Sequence, residues 1–502
     1  MTAQSQSRLS GRRIVGQSLL LFGGYGLAQL LALARNALLA HLLSKGDFGV
    51  AAALTVTLQI FEMLSDPAVD RLIVQAAAKD VDRLVATAHS VAILRGLLLG
   101  ALLFLFAPMV AQLFGIHDAT SAFMALAAVP VIRAFLNLDW RRAQRDLNNT
   151  PAVLVELVPQ AAALAATYPA VLWIGGFEAV VWVTIGLALV QLAVTQVLAA
   201  RRYRLAWDRD WVRRIFAFAW PAMISGLTLL AVYQGDRVLV GRFFGIEVLA
   251  AYSVAFVLTM VPASLVGRAG TSLLLPVFAE LHAKRDLLRT RFLLATEVTV
   301  VVTACYLAAF IMLGGTVVGL VFGPKYEGLG HLTAVLATMW ATRMLQTPMT
   351  AFILAAGEPQ SLTVGGGLRA TALLLGIAVA LFGGGVLMLA VTGIVGEVLA
   401  LGYHAWRIHR IEPALQTPLL RRMAYAPAVA ALCWPLVDTG LWVGSSLLTA
   451  LATAIVVLTL GGGLLVMFRD LRRRLEGLLR NSRGIRDEGL WAAAQVAEVE
   501  PS

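Results

Sequence analysis

The sequence predicts an all-α, polytopic membrane protein of about 14 transmembrane helices, and three observations carry that expectation. Hydrophobic residues make up 59% of the 502 positions and charged residues 14%, against roughly 45–50% and about 25% in soluble domains. Apolar stretches of the ~20 residues needed to cross a bilayer recur between Ile14 and Phe468 with only short breaks. Runs such as 298–313 and 447–467 lack the alternation of barrel strands. Lipid requires backbone polar groups to be satisfied within the segment, which leaves helices.

Taken in order, spans are expected at 14–40, 47–76, 90–113, 119–140, 151–174, 178–199, 213–242, 248–275, 291–319, 329–355, 361–382, 386–405, 424–440 and 444–468. The first run is too long for the ~7–15-residue core of a secretion signal and reads as a retained helix. Basic residues set the orientation. Both tails and the loops after even-numbered spans hold 29 Lys and Arg, and the loops after odd-numbered spans hold only Lys45 and Lys325. A missed span would invert every later loop, so both termini are expected in the cytoplasm.

The net charge of +11 therefore serves topology and contact with anionic membrane lipids, not nucleic acid. Cys305 and Cys433 lie inside apolar runs and read as small buried residues, with no metal pair. No GxxxxGK[ST] phosphate loop is present, and the noncytoplasmic loops are too short to carry a catalytic site. A nonenzymatic protein without cofactor or metal is expected. The loop 200–214, with Trp207 and Trp211 among arginines, suits a short interfacial helix or a solvated linker. Residues 468–479 read as a basic amphipathic helix, with a disordered tail from about Asn481.

An internal repeat divides the chain. Leu38-Leu-Ala-His-Leu-Leu-Ser-Lys-Gly-Asp-Phe-Gly49 opens the second span as Leu239-Val-Gly-Arg-Phe-Phe-Gly245 opens the eighth, 201 residues later. Leu113-Phe-Gly115 and Val321-Phe-Gly323 follow at an offset of 208. Six spans separate the copies, an even number, so the halves are parallel repeats. The expected organisation is an N-terminal tail (1–13), a six-helix lobe (14–199), a linker (200–214), a second six-helix lobe (215–405), a linker (406–423), two extra helices (424–468) and a basic tail (469–502).

Four stretches carry a family resemblance. They are Ala34-Arg-Asn-Ala-Leu-Leu-Ala-His-Leu-Leu-Ser-Lys-Gly-Asp-Phe-Gly49, Trp140-Arg-Arg-Ala-Gln-Arg-Asp-Leu147 running into Glu156-Leu-Val-Pro-Gln160, Phe218-Ala-Trp-Pro-Ala222 with Asp236-Arg-Val-Leu-Val-Gly-Arg242, and Leu274-Leu-Pro-Val-Phe-Ala279. In order and spacing, over about residues 10–470, they resemble the polysaccharide-transporter branch of the flippase superfamily that also holds multidrug antiporters and lipid II flippases. Ser65-Asp-Pro-Ala-Val-Asp-Arg71 departs from the acid-Gly-Leu common there. The resemblance implies alternating-access translocation of an undecaprenyl-diphosphate-linked oligosaccharide across the bacterial inner membrane. An ion gradient or the membrane potential would drive it. A polysaccharide polymerase and a chain-length regulator would be partners. An ion-coupled multidrug exporter and a lipid II flippase are the alternatives.

Nine arginines remain inside the spans: Arg35, Arg71, Arg95, Arg133, Arg237, Arg242, Arg268, Arg343 and Arg369. Each costs roughly 2.5–3.5 kcal/mol at a helix centre. Arg71, Arg95 and Arg242 lie near span ends, where snorkelling lowers that cost. Arg35, Arg268 and Arg343 are the candidates for holding a diphosphate, which guanidinium groups bind in a bidentate way. Arg35 is chosen because lipid II flippases look similar there. Ion pairing with Asp236 or Glu297 is the competing role. Glu62, Glu297, Glu397 and Asp236 are candidates for ion coupling, since burial disfavours a charged carboxylate. Asp139 and Glu156 suit a salt-bridged clamp with Arg141 and Arg142. Pro221, Pro262 and Pro348, with Gly365–Gly367, would hinge the helices, whereas Pro276 and Gly383–Gly385 read as helix-end punctuation.

Overall fold

The computed structural model describes residues 3–437 except 65–68, 70–71, 74–75, 77–79 and 147, together with 457, 459, 461–463 and 468. Every regular element among them is helical. The expected span 444–468, the amphipathic helix 468–479 and the tail lie wholly or almost wholly outside the described residues, as do Asp66 and Arg71.

The first half comprises α1 (Ala3–Leu42), α2 (Lys45–Leu64), α3 (Val81–Phe114), α4 (Thr120–Leu126), α5 (Ala128–Ala134), α6 (Asp139–Arg145), α7 (Thr150–Ile174) and α8 (Glu178–Val197). The second comprises α9 (Arg209–Phe244), α10 (Ile246–Glu280), α11 (Arg285–Phe322), α12 (Gly330–Leu345), α13 (Thr347–Ala355), α14 (Pro359–Leu381) and α15 (Val386–Ile411), followed by α16 (Gln416–Met423) and α17 (Tyr425–Cys433). Eight of these helices are long and apolar enough to cross a membrane, or nine if the bent 117–145 segment is one span.

The packing in one half is repeated in the other. α1 packs on α7 as α9 packs on α14, and α7 on α8 as α14 on α15. α3 lies against α4 and α5 as α11 lies against α12. The helices that open each copy, α2 and α10, face one another across the halves. Each half also contains a broken helix. Pro130 and Pro348 cannot donate to the preceding turn, and the helices part at Ala127 and Gln346. Arg133 and Arg343 both lie at the C-terminal end of a broken helix, α5 and α12 respectively.

The arginine-rich loops gather at one end, hereafter the basic end. At the opposite end the halves are sealed. Ser44 Oγ accepts from the Asp47 N–H at 3.0 Å and donates to Asp47 Oδ2 at 2.6 Å, capping α2. Next to that cap, Lys325 donates to the Leu43 carbonyl and the His41 ring bonds the Val321 carbonyl at 3.1 Å. A dry cluster beneath joins Leu39, Leu43 and Phe48 to Val254, Phe322 and Tyr326. The approach of α2 to α10 needs glycine: a Cβ on Gly49 would lie 2.1 Å from the Ile246 carbonyl oxygen. Gly49→Ala is expected to destabilise the protein by at least about 1–3 kcal/mol, the usual cost of overpacking. An unchanged melting temperature in detergent would contradict that contact.

Of the interlobe linker, residues 200–208 form an extended strap whose backbone docks on the first half while most of its side chains stay exposed, and residues 209–214 form the first turns of α9. Asp139 Oδ2 accepts from the Ala200 and Arg201 N–H groups at 2.8 and 3.2 Å. Asn137 donates to the Arg201 carbonyl at 3.3 Å and Ser90 to the Ala206 carbonyl at 2.8 Å. Asp208 then caps α9, accepting from the N–H groups of Asp210 and Trp211. Asp139 also pairs with Arg142 at 3.4 Å.

At the basic end of the second half, two acids fasten the 411–423 segment to α11. Glu297 accepts from Arg422 at 2.8 Å, and Glu412 from Arg285 at 3.2 Å and Arg289 at 2.7 Å. The Arg289 hydrogen bond, foremost, holds the Glu412 carboxyl below the usual range. A depressed carboxylate contributes stability that is present above its unfolded pKa, about 4.3, and is lost as pH falls through the folded value. The melting temperature should therefore fall on acidification below about pH 4.3. Glu412→Gln should lower it at neutral pH and flatten that dependence; an unaltered profile would rule the pair out as a contributor.

Candidate functional site

The polar interior falls into two regions, one in each half. In the first, α1 presents Arg35, α2 presents Gln59 and Glu62, α5 presents Arg133 and α7 presents Gln160 to one cavity of about 220 Å³. Arg133 is ion-paired with Glu62, and Arg95 donates to the Glu62 carbonyl at 3.2 Å. The Arg133 Nε and the Gln160 Oε1 are buried without a hydrogen-bond partner among the described residues. A second cavity of about 380 Å³ shares Glu62 and Arg133 and continues to Arg95, Arg141, Glu156 and Gln191 toward the basic end. Across the two, four arginines face two glutamates. Gln234 of α9 donates to Gln59 Oε1 at 2.5 Å and ties this region to the other half.

The second region is tight. Arg343 donates through Nε to Glu397 Oε1 at 2.8 Å, and Arg369 donates through Nε to Glu397 Oε2 at 3.0 Å. The side-chain amide of Gln346, at the α12–α13 break, donates to Glu397 Oε2 at 3.0 Å. Its carbonyl oxygen receives Arg369 and the Nδ1 of His404. The His404 ring lies on Gly365, where a Cβ would meet its Nε2 at 2.4 Å, so this glycine makes room rather than a hinge. Arg343 also stacks on Trp340 and Tyr233, 4.6 and 4.8 Å from the ring centres. Asp236 accepts from the Tyr252 hydroxyl at 2.6 Å and from the Arg237 N–H at 2.8 Å. The space beside Asp236, Arg343, Arg369 and Glu397 is about 40 Å³, little more than room for a water molecule.

The three arginines singled out by sequence are not brought together. Arg35 lies in the first cavity and Arg343 in the Glu397 cluster. Arg268 is exposed on α10, without a hydrogen bond or ion pair among the described residues. At 1.5 Å per residue, Arg35 lies roughly 10 Å and Arg268 roughly 33 Å from the opposite-end termini of their helices. One diphosphate cannot span that difference. Of the acids, Glu62 faces the first cavity, Glu397 and Asp236 the second, and buried Glu297 pairs with Arg422 of α16. The partner of Arg343 is Glu397, not Asp236 or Glu297. Sequence reasoning did not single out Arg133, Arg369, Gln346 or His404. The repeat carried a usable signal for Arg133, which matches Arg343 at an offset of 210, close to the 201 and 208 of the motif pairs.

Residues 38–329 match the model of a family described as "Polysaccharide biosynthesis protein". The chain belongs to that family. It is 24% identical over 417 residues to the succinoglycan biosynthesis transport protein ExoT of Rhizobium meliloti (strain 1021), covering 80% of this chain and 81% of that one. It is 23% identical over 283 residues to the teichuronic acid biosynthesis protein TuaB of Bacillus subtilis (strain 168), covering 55% of this chain and only 58% of TuaB. Its fold is that of the lipid II flippase MurJ in an inward closed conformation, with a TM-score of 0.70 at 13% identity, covering 90% of this chain and 99% of that one. An inward-facing multidrug resistance MATE family transporter follows at a TM-score of 0.62 and 17% identity, over 78% and 96%. Family and fold together make the chain a multi-span helical protein of polysaccharide biosynthesis with a flippase-like fold.

Proposed function

We propose that this chain flips an undecaprenyl-diphosphate-linked oligosaccharide across the bacterial inner membrane by alternating access, with the basic end and both termini in the cytoplasm. The observation that carries this reading is the arginine excess in the first half's cavities. A diphosphate needs such a lining, whereas a cationic drug would favour acids. Among the described residues the Arg133 Nε and Arg268 have no partner, which leaves donors for phosphate oxygens. Their different depths suit successive stations rather than one clamp: Arg268 first, then Arg35 with Arg133. Arg343 and Glu397 hold the second half rigid beside this path. The sealed opposite end corresponds to the state that loads from the cytoplasmic leaflet. A polymerase and a chain-length regulator would act on the product outside.

Deletion in a strain without a redundant flippase should accumulate undecaprenyl-linked repeat units in the inner leaflet. Normal surface polysaccharide with no accumulation would exclude the reading. Arg268→Ala should abolish export while membrane levels stay normal; full export by that variant would remove Arg268 from the path.

A further inference from the structure

The docked strap encloses a site of its own. Between residues 201–206 and the first turns of α3 lies a cavity of about 550 Å³, separate from the two interior regions. Its acids are engaged. Asp82 pairs with Arg142 and Arg201, and Asp139 with Arg142 and the strap's N–H groups. Three further guanidinium groups line it, Arg83 from α3 and Arg202 and Arg204 from the strap. None of the three has a carboxylate partner among the described residues. Five arginines thus face two aspartates.

The wall is built rather than incidental. His89 Nε2 accepts from the Leu138 N–H at 3.1 Å, which leaves Nδ1–H to donate to the Arg204 carbonyl at 3.0 Å. The neutral ring therefore fixes the strap where Arg202 and Arg204 leave it. Tyr203 stacks on His89 with ring centres 4.1 Å apart, and burial pushes its hydroxyl up to about 12. A basic linker serving topology alone would have no need of a buried histidine, asparagine and aspartate to hold its backbone.

We propose that this cavity binds a phosphate-bearing anion, with a diphosphate group the best match. Its volume is within the usual range for small-ligand sites, about 300–1,000 Å³. Three guanidinium groups from two elements supply the charge and the forked donors that phosphate oxygens take. The ligand bridges α3 and the strap, so its binding tightens the strap on the first half. The phosphate can come from a membrane lipid headgroup or from a soluble diphosphate.

The test uses the purified full chain in phosphatidylcholine nanodiscs, titrated with inorganic pyrophosphate by calorimetry. Saturable binding is expected, weakened at least tenfold in the triple variant Arg83→Gln, Arg202→Gln, Arg204→Gln. The matched variant Arg209→Gln, Arg213→Gln, Arg214→Gln, which removes equal charge beside the cavity, should bind as the parent does. Should the first variant fail to fold, Arg83→Lys, Arg202→Lys, Arg204→Lys keeps the charge and is expected to bind several-fold more weakly. Nanodiscs containing phosphatidic acid separate the sources. Competitive loss of pyrophosphate binding assigns the site to a lipid headgroup, and undiminished binding assigns it to a soluble ligand. No saturable binding by the parent, or equal loss in both Gln variants, overturns the proposal. Since binding rather than export is read, the outcome is independent of the transport reading.

Discussion

Glu397→Ala is expected to be the most destabilising single substitution of an interior polar residue, by roughly 3–5 kcal/mol, the cost of breaking a buried pair from one side. The reason is the number of groups that depend on one carboxylate. Arg343, Arg369 and Gln346 all donate to it, and the Glu397 side chain is only 3% exposed. Its removal leaves two buried guanidinium groups without an acid and loosens the Gln346 amide that orients His404. Glu397→Gln keeps the shape but not the charge and should fall between the two. Melting temperatures in detergent decide the matter. A shift for Glu397→Ala no larger than that of a surface substitution would mean that the cluster does not hold the second half together.

The second large effect concerns transport rather than stability. Arg133→Ala is expected to lower export roughly 10–100-fold, the loss of one charge-assisted hydrogen bond of about 1.5–3 kcal/mol. Glu62 holds this guanidinium in the cavity that Arg35 also lines, so the carboxylate occupies the place a phosphate would take. Glu62→Gln releases Arg133 and should slow turnover, because release of the anion is no longer assisted by the returning acid. Export assays at matched membrane levels test both. If either Arg133→Ala or Glu62→Gln exports normally, the exchange of carboxylate for phosphate is wrong.

The sequence expressed the architecture well for a physical reason. Lipid makes apolar length nearly obligatory, so an all-helical, multi-span chain was readable from Ile14 onward, while the division into fourteen spans was not: eight of the described helices qualify, or nine with the bent segment. The 201-residue offset also has a structural counterpart, since α1 on α7 and α9 on α14 are the same packing twice. Pairing was not readable. Nine interior arginines were visible as a set, but which acid each one meets depends on helix rotation and on where a helix breaks. Arg343 meets Glu397 because Pro348 ends α12 and turns Gln346 inward. Arg133 lay in plain view, and no local pattern marked its contact with Glu62, 71 positions away. The docking of the strap was hidden for a related reason. Its composition is that of an interfacial or solvated segment, and the side chains that bind its backbone, His89, Ser90, Asn137 and Asp139, are distant in sequence.

The seal at the opposite end has a thermal consequence. It is made largely of side chains such as Leu39, Phe48, Val254 and Phe322, not of ion pairs. Burial of that kind carries a large heat-capacity change and weakens on cooling. The balance between the closed state and one open at that end should therefore curve with temperature, so that cold alone favours opening. Transport rates would then follow a bent rather than a straight Arrhenius line, and the bend would be set by a few aliphatic and aromatic contacts far from any charge.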